Sequence, residues 1–109
     1  VTDFAVYVTE HAVLDLEGIY DVIAGHDSLE SAEAVLGKIE AVFSSLAAFP
    51  ERGVYPGELL ALGIREYREV FSKPYRIIYR VMSGAVYVYL IADGRRDMRT
   101  LLQRRLLAD

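Results

Sequence analysis

Apolar residues along this chain change spacing several times, and each change marks an element. Phe4 to Val8 places Val6 and Val8 on one side, which predicts a short strand. Thr9 then offers a hydroxyl to the orphan N–H groups of a first helical turn. Val13, Leu16, Tyr20 and Ile23 follow at helical spacing, up to an expected stop at Gly25. Asp27 with Glu30 three residues on fits a capping box. Leu29, Ala32, Leu36, Ile39, Phe43 and Leu46 then form a second stripe, which ends before Pro50. The short link Gly25-His26-Asp27 makes the two helices antiparallel neighbours, a helical hairpin whose stripe is expected to be buried in its own domain.

Pro50, Gly53, Pro56, Gly57 and Gly63 predict a loop over 50–63, with one short turn around Glu58 to Leu62. Three strands are expected next, over Ile64 to Phe71, Tyr75 to Met82 and Ala85 to Ala92, with Ser83-Gly84 as a two-residue hairpin turn. In the middle strand Tyr75, Ile77, Tyr79 and Val81 share one face, and Arg76, Ile78, Arg80 and Met82 the other. Met98, Leu101, Leu102 and Leu106 close the chain as a short amphipathic helix. The order β-α-α-β-β-β-α places the protein in the α+β class: an N-terminal strand, a helical hairpin packed on an antiparallel sheet, and a short C-terminal helix.

A length of 109 residues predicts one domain spanning 1–109. The absence of cysteine excludes a disulfide scaffold, an iron–sulfur site and a thiol nucleophile. The first four residues have neither a basic nor an apolar character that would mark a secretory leader, and no apolar run approaches the ~20 residues of a membrane span. A cytoplasmic protein without membrane contact is expected. Residues 1–63 hold two basic and eleven acidic side chains (−9), and residues 64–109 ten basic and five acidic (+5), within a net charge of −4. This segregation points either to a binding face or to two halves that complement each other. His11 and His26 lack the spacing of a metal site, and Asp93-Gly94 is too short for a phosphate cradle. Neither metal nor cofactor is expected. Tyr75, Tyr79, Tyr87 and Tyr89 offer faces either to stacked bases or to sheet packing.

The run Tyr75-Arg76-Ile77-Ile78-Tyr79-Arg80-Val81 leads through a tight turn into an apolar strand that ends in Asp93-Gly94-Arg95-Arg96-Asp97. This pattern resembles the RelE/ParE superfamily of bacterial toxins, the toxin halves of type II toxin–antitoxin modules, and within it the ParE-like branch. The resemblance extends over nearly the whole chain. It implies a cytoplasmic toxin of the plasmid-stabilisation kind, held silent in a hetero-oligomer by a cognate ParD- or RelB-like antitoxin. ParE-like members poison DNA gyrase and have no accepted catalytic residues, whereas RelE-like members cut messenger RNA on the ribosome.

The second chemistry needs a base for the ribose 2′-OH, cations for the phosphorane and an acid for the leaving oxygen. By resemblance, Glu58 stands where a carboxylate base is found, and Arg76 and Arg96 where phosphate-binding arginines are found. The acid is missing, because the matching stretch is Arg99-Thr100-Leu101-Leu102, and of the basic cluster only Arg65, Arg68 and Lys73 remain. The expectation is therefore a toxin that binds and poisons gyrase, with Arg76, Arg80, Arg95, Arg96 and Arg99 as contacts to target or antitoxin. The alternatives are a RelE-like endoribonuclease using Glu58, Arg76 and Arg96, with the ribosome and messenger RNA as partners, and a degenerate toxin that only binds its antitoxin. Read without the resemblance, Arg76 and Arg80 are solvated strand arginines offset by Glu66 and Glu69. Arg104 and Arg105 suit the C-terminal end of a helix dipole.

Overall fold

The computed structural model describes residues 3–107; Val1 and Thr2 of the N-terminal segment, and Ala108 and Asp109, lie outside the described residues. The elements are β1 (Ala5–Val8), α1 (Glu10–His26), α2 (Leu29–Ala48), α3 (Gly57–Leu60), β2 (Arg68–Ser72), β3 (Tyr75–Met82), β4 (Ala85–Asp93) and α4 (Met98–Leu102), which runs on into a π-helical turn, Gln103–Leu107.

Thr9 caps α1 as its sequence suggests, accepting from the Ala12 N–H. The helix passes through Gly25, because glycine adopts helical dihedrals and nothing there interrupts the ladder; the break comes at Asp27, whose backbone leaves the helical region while its N–H still donates to the Ile23 carbonyl. Asp27 thus terminates α1 and is not free to start α2. The cap of α2 is Ser28, which is extended and accepts from the Ser31 N–H at 3.0 Å, one residue later than the capping-box pattern implied. The hairpin packs through Ala12, Leu16 and Ile19 on α1 and Ala32, Ile39 and Leu46 on α2. Val13 and Leu29, expected in these stripes, turn outward, Leu29 being 65% exposed.

The four strands lie in the order β1-β4-β3-β2. The β2–β3 and β3–β4 pairs are antiparallel, but β1 runs parallel to β4 in the register Ala5↔Ala85 to Val8↔Val88. The sheet is therefore mixed rather than wholly antiparallel. β1 and β4 are joined by the helical hairpin and two further strands, a connection long enough to allow parallel pairing. Ser83 and Gly84 both have positive φ, as a two-residue type I′ hairpin turn requires, and Lys73-Pro74, with a cis peptide bond, links β2 to β3.

β2 begins at Arg68, four residues later than the β-rich sequence suggests, because Ile64 and Tyr67 pack into the outer core and draw 64–67 off the ladder. The outer edge of β2 is held by a bridge from Val54 to Glu69. Beside it the buried Tyr79 hydroxyl accepts the Gly53 N–H at 2.9 Å, so closely that a Cβ on Gly53 would lie 2.6 Å from that oxygen.

The β3–β4 register slips by one between Ile78 and Tyr79, so that Tyr89 of β4 has no opposite residue. This bulge changes which residues face which core. Val86, Val88 and Ile91 join Ile77 and Tyr79 under the helical hairpin, while Leu90 and Ala92 join Ile78, Leu59, Met98 and Leu102 on the outer face. The hairpin covers one face of the sheet, and α3 and α4 cover half of the other.

Candidate functional site

Arg76 leaves β3 on the outer face, directly across from Phe71 of β2. Its Nε donates to Glu69 Oε1 at 2.7 Å, and its two terminal nitrogens donate to the two oxygens of Glu58 at 2.8 and 2.7 Å. Glu58 lies in the single turn of α3, which the buried Leu59 anchors to the outer core. Glu69 is brought in by the β2–β3 register. The Arg76 stem rests on Gly94, where a Cβ would stand 3.0 Å from Arg76 Cδ, and the Gly94 N–H donates to the Pro74 carbonyl. The two stretches that carry the family resemblance thus meet at one contact, a glycine beneath an arginine stem.

The hydrogen bonds from Arg76 hold the Glu58 carboxyl below the ordinary carboxylate range, against the opposing effect of partial burial and with a smaller contribution from the charge of Arg99. The same carboxylate, with Glu69, raises the pKa of Arg76. A general base works best with a pKa near the operating pH, and Glu58 is shifted away from it with both oxygens engaged. Two carboxylates on one guanidinium leave the cluster with a formal charge of −1, which disfavours a phosphate at Arg76. As arranged, the group is a structural clamp joining α3, β2, β3 and the turn after β4.

The other candidates lie elsewhere. Arg96 makes no contact with Glu58; it lines an open groove of about 440 Å³ on the α1 side with Leu14, Ile19 and Val22. The proposed set Glu58, Arg76 and Arg96 is therefore only partly assembled. Arg95 folds back on Asp93, donating from Nε at 2.9 Å and from its backbone N–H at 2.9 Å, which holds the Asp93 carboxyl down at about 2. Arg95, Arg96 and Arg99 are exposed around the turn that enters α4. Arg80 lies four residues along β3, about 13 Å from Arg76 at strand rise, with its guanidinium 5.8 Å from the centre of the Tyr67 ring. The expected arginines thus fall in three places, Arg76 in the clamp, Arg80 further along β3, and Arg95, Arg96 and Arg99 around the turn into α4; among the described residues it is Glu69, not Glu66, that pairs with a strand arginine.

Sequence reasoning missed one polar contact. Asp15 of α1 accepts from both terminal nitrogens of Arg105, at 2.9 and 3.0 Å, and from the Ile91 N–H, while Arg105 also donates to the Tyr89 carbonyl at 2.7 Å. Asp15 and Arg105 lie 90 residues apart, and no local spacing links them. Among the described residues no cluster of His, Asp or Glu fits a metal ion, and no helix is long and apolar enough to cross a membrane.

A family model described as the ParE toxin of the type II toxin–antitoxin system parDE matches residues 6–98. Toxin ParE3 of Caulobacter vibrioides is 30% identical over 91 residues, which cover 84% of this chain and 87% of that protein. A chain of the solved structure described as the chromosomal ParDE TA system from P. aeruginosa superposes with a TM-score of 0.69, over 83% of this chain and 95% of that one, at 19% identity, a likeness of fold.

Proposed function

Since this chain belongs to the ParE toxin family of type II toxin–antitoxin systems, we propose that it acts by binding, engaging and poisoning DNA gyrase in the cytoplasm without a cofactor. The observation that carries this reading over message cleavage is the closed Glu58–Arg76–Glu69 clamp. A ribonuclease of the RelE kind needs a base free to take a proton and a guanidinium free to meet a phosphorane, and here the two neutralise each other. A single domain over 1–109 makes this contact, with the exposed Arg95, Arg96 and Arg99 as its charged residues.

A cognate ParD-like antitoxin silences the toxin in a hetero-oligomer. The 440 Å³ groove beside α1, walled by Leu14 (62% exposed) and Val22 (60% exposed), supports a protein partner, because it leaves apolar surface that this chain does not cover itself. The test is induction of the chain alone in bacterial cells. DNA-damage signalling with intact messages, relieved when the adjacent small gene is co-expressed, is the expected result. Cleaved translated messages without DNA damage would overturn the proposal.

A further inference from the structure

α3 and α4 cover only half of the outer face of the sheet, and the uncovered half is built differently. Tyr7 of β1 and Tyr87 of β4 are register partners, and their rings stack with centroids 5.4 Å apart and planes 26° from parallel. Tyr7 remains 54% exposed. Arg80 stands directly across from Tyr87 on β3 and reaches over Tyr67, whose ring meets Tyr89 edge to face at 5.7 Å. Beyond Arg80, at the margin of the sheet, Arg65 and Arg68 join it around a polar pocket of about 290 Å³ that Glu51 and Glu66 also line. Among the described residues these three arginines form no ion pair, whereas Arg76, Arg95 and Arg105 each hold a carboxylate. Arg68, across from the hairpin-side Tyr79, leaves the sheet on the other face, where it donates to the carbonyls of Glu51 and Gly53.

We propose that this half-face is a binding surface for single-stranded nucleic acid, with a base or two stacked on the Tyr87–Tyr7 pair and the phosphates led past Arg80 toward Arg65 at the margin of the sheet. The chemistry is general. An open sheet face with aromatic rings on adjacent strands stacks unpaired bases, and guanidinia along one margin track the backbone. Tyr7, Tyr87 and Arg80 lie on three adjacent strands and span two strand spacings, about 10 Å, which suits two or three nucleotides. Arginine also meets phosphate through a planar fork. Glu51 and Glu66 reduce the local positive charge, so binding is modest and the salt dependence shallow, with roughly two phosphates neutralised and a log–log slope near −1.4. The surface lies at the opposite end of β3 from the Arg76 clamp. It gives the basic C-terminal part of the chain a role separate from the toxin's mode of action.

The test is fluorescence anisotropy of the purified protein with a labelled mixed-sequence single-stranded DNA of twelve nucleotides at low salt, with an unlabelled duplex and polyglutamate as competitors. Saturable binding is expected, displaced by single strands far better than by duplex or polyglutamate. Tyr7→Ala and Arg80→Ala should each weaken it about tenfold, within the range for loss of one stacking or cation contact. Tyr87→Phe, which keeps the ring, should retain affinity, and Lys38→Ala on the far side of the molecule should have no effect. Circular dichroism confirms that each variant is folded. Absence of binding by the folded wild type would overturn the assignment. Equal competition by polyglutamate, the signature of an acidic protein partner, would also overturn it, as would binding indifferent to both Tyr7→Ala and Arg80→Ala.

Discussion

Asp15 and Arg105, at opposite ends of the chain, close the outer edge of β4 between them. β1 pairs only with Ala85–Val88, so from Tyr89 onward this edge has no strand beside it. The Arg105 guanidinium satisfies the Tyr89 carbonyl and the Asp15 carboxylate the Ile91 N–H, while the two side chains form an ion pair. An open strand edge invites pairing with another chain, and here two side chains occupy the places that a fifth strand would take. Both are largely shielded, at 16% and 21% side-chain exposure. Arg105→Leu leaves Asp15 partly desolvated and should cost about 2 kcal/mol in urea denaturation, less than a fully buried pair. The cycle with Asp15→Asn should return a coupling of about 1 kcal/mol or more.

The loop that precedes α3 is held by a different bond. Tyr79→Phe removes the acceptor of the buried Gly53 N–H, at a cost of about 1–3 kcal/mol for the unsatisfied donor. Gly53→Ala forces a Cβ into the Tyr79 oxygen and the Glu69 carbonyl, so it should destabilise by about 1–3 kcal/mol through overpacking. Denaturation midpoints of both variants check this, and either change within about 0.5 kcal/mol would contradict it.

Acid should loosen the clamp. The folded-state pKa of Glu58 lies below its unfolded value, because Arg76 favours the charged form. Its contribution is therefore complete above the unfolded value of about 4.3. It is lost as pH falls through the lower folded value. Stability measured from neutral pH downward should be flat in this contribution until about pH 4.3 and then decline, and Glu58→Gln should decline less steeply than the wild type.

Charge reversal of Arg95 and Arg96 to Glu tests the rim around the turn into α4. Both side chains are exposed, and the one ion pair lost, Arg95 with Asp93, is at the surface, so the thermal midpoint should fall only slightly. Toxicity or antitoxin binding should fall. Preservation of both would assign these arginines to the solvated surface alone.

The element order was legible because helical and strand spacings alternate cleanly along the chain, and the hairpin at Ser83-Gly84 follows from local turn chemistry. What escaped depends on distant partners. The parallel placement of β1 and the Asp15–Arg105 pair arise from how the sheet closes, and no short window of sequence contains both members; the bulge at Tyr89 lies within one hairpin but leaves no mark in the alternation of β4. Ser28 replaced Asp27 as the cap because Asp27 was already committed to the end of α1. At the candidate site, the resemblance brings Glu58 and Arg76 together as base and phosphate ligand, but their mutual neutralisation depends on α3 setting the carboxylate against β3. Arg96, the third residue the resemblance implies, lies apart.

The claim that this toxin binds its target rather than cutting a message is tested most directly by supercoiling assays with purified gyrase, comparing the wild type with Glu58→Gln. The amide carbonyl of that variant can still accept from Arg76, but it has no carboxylate with which to take a proton. Inhibition by both proteins at similar concentrations is the predicted result. A wild type that leaves supercoiling untouched yet cuts ribosome-bound messages, with cleavage lost in Glu58→Gln, would contradict it.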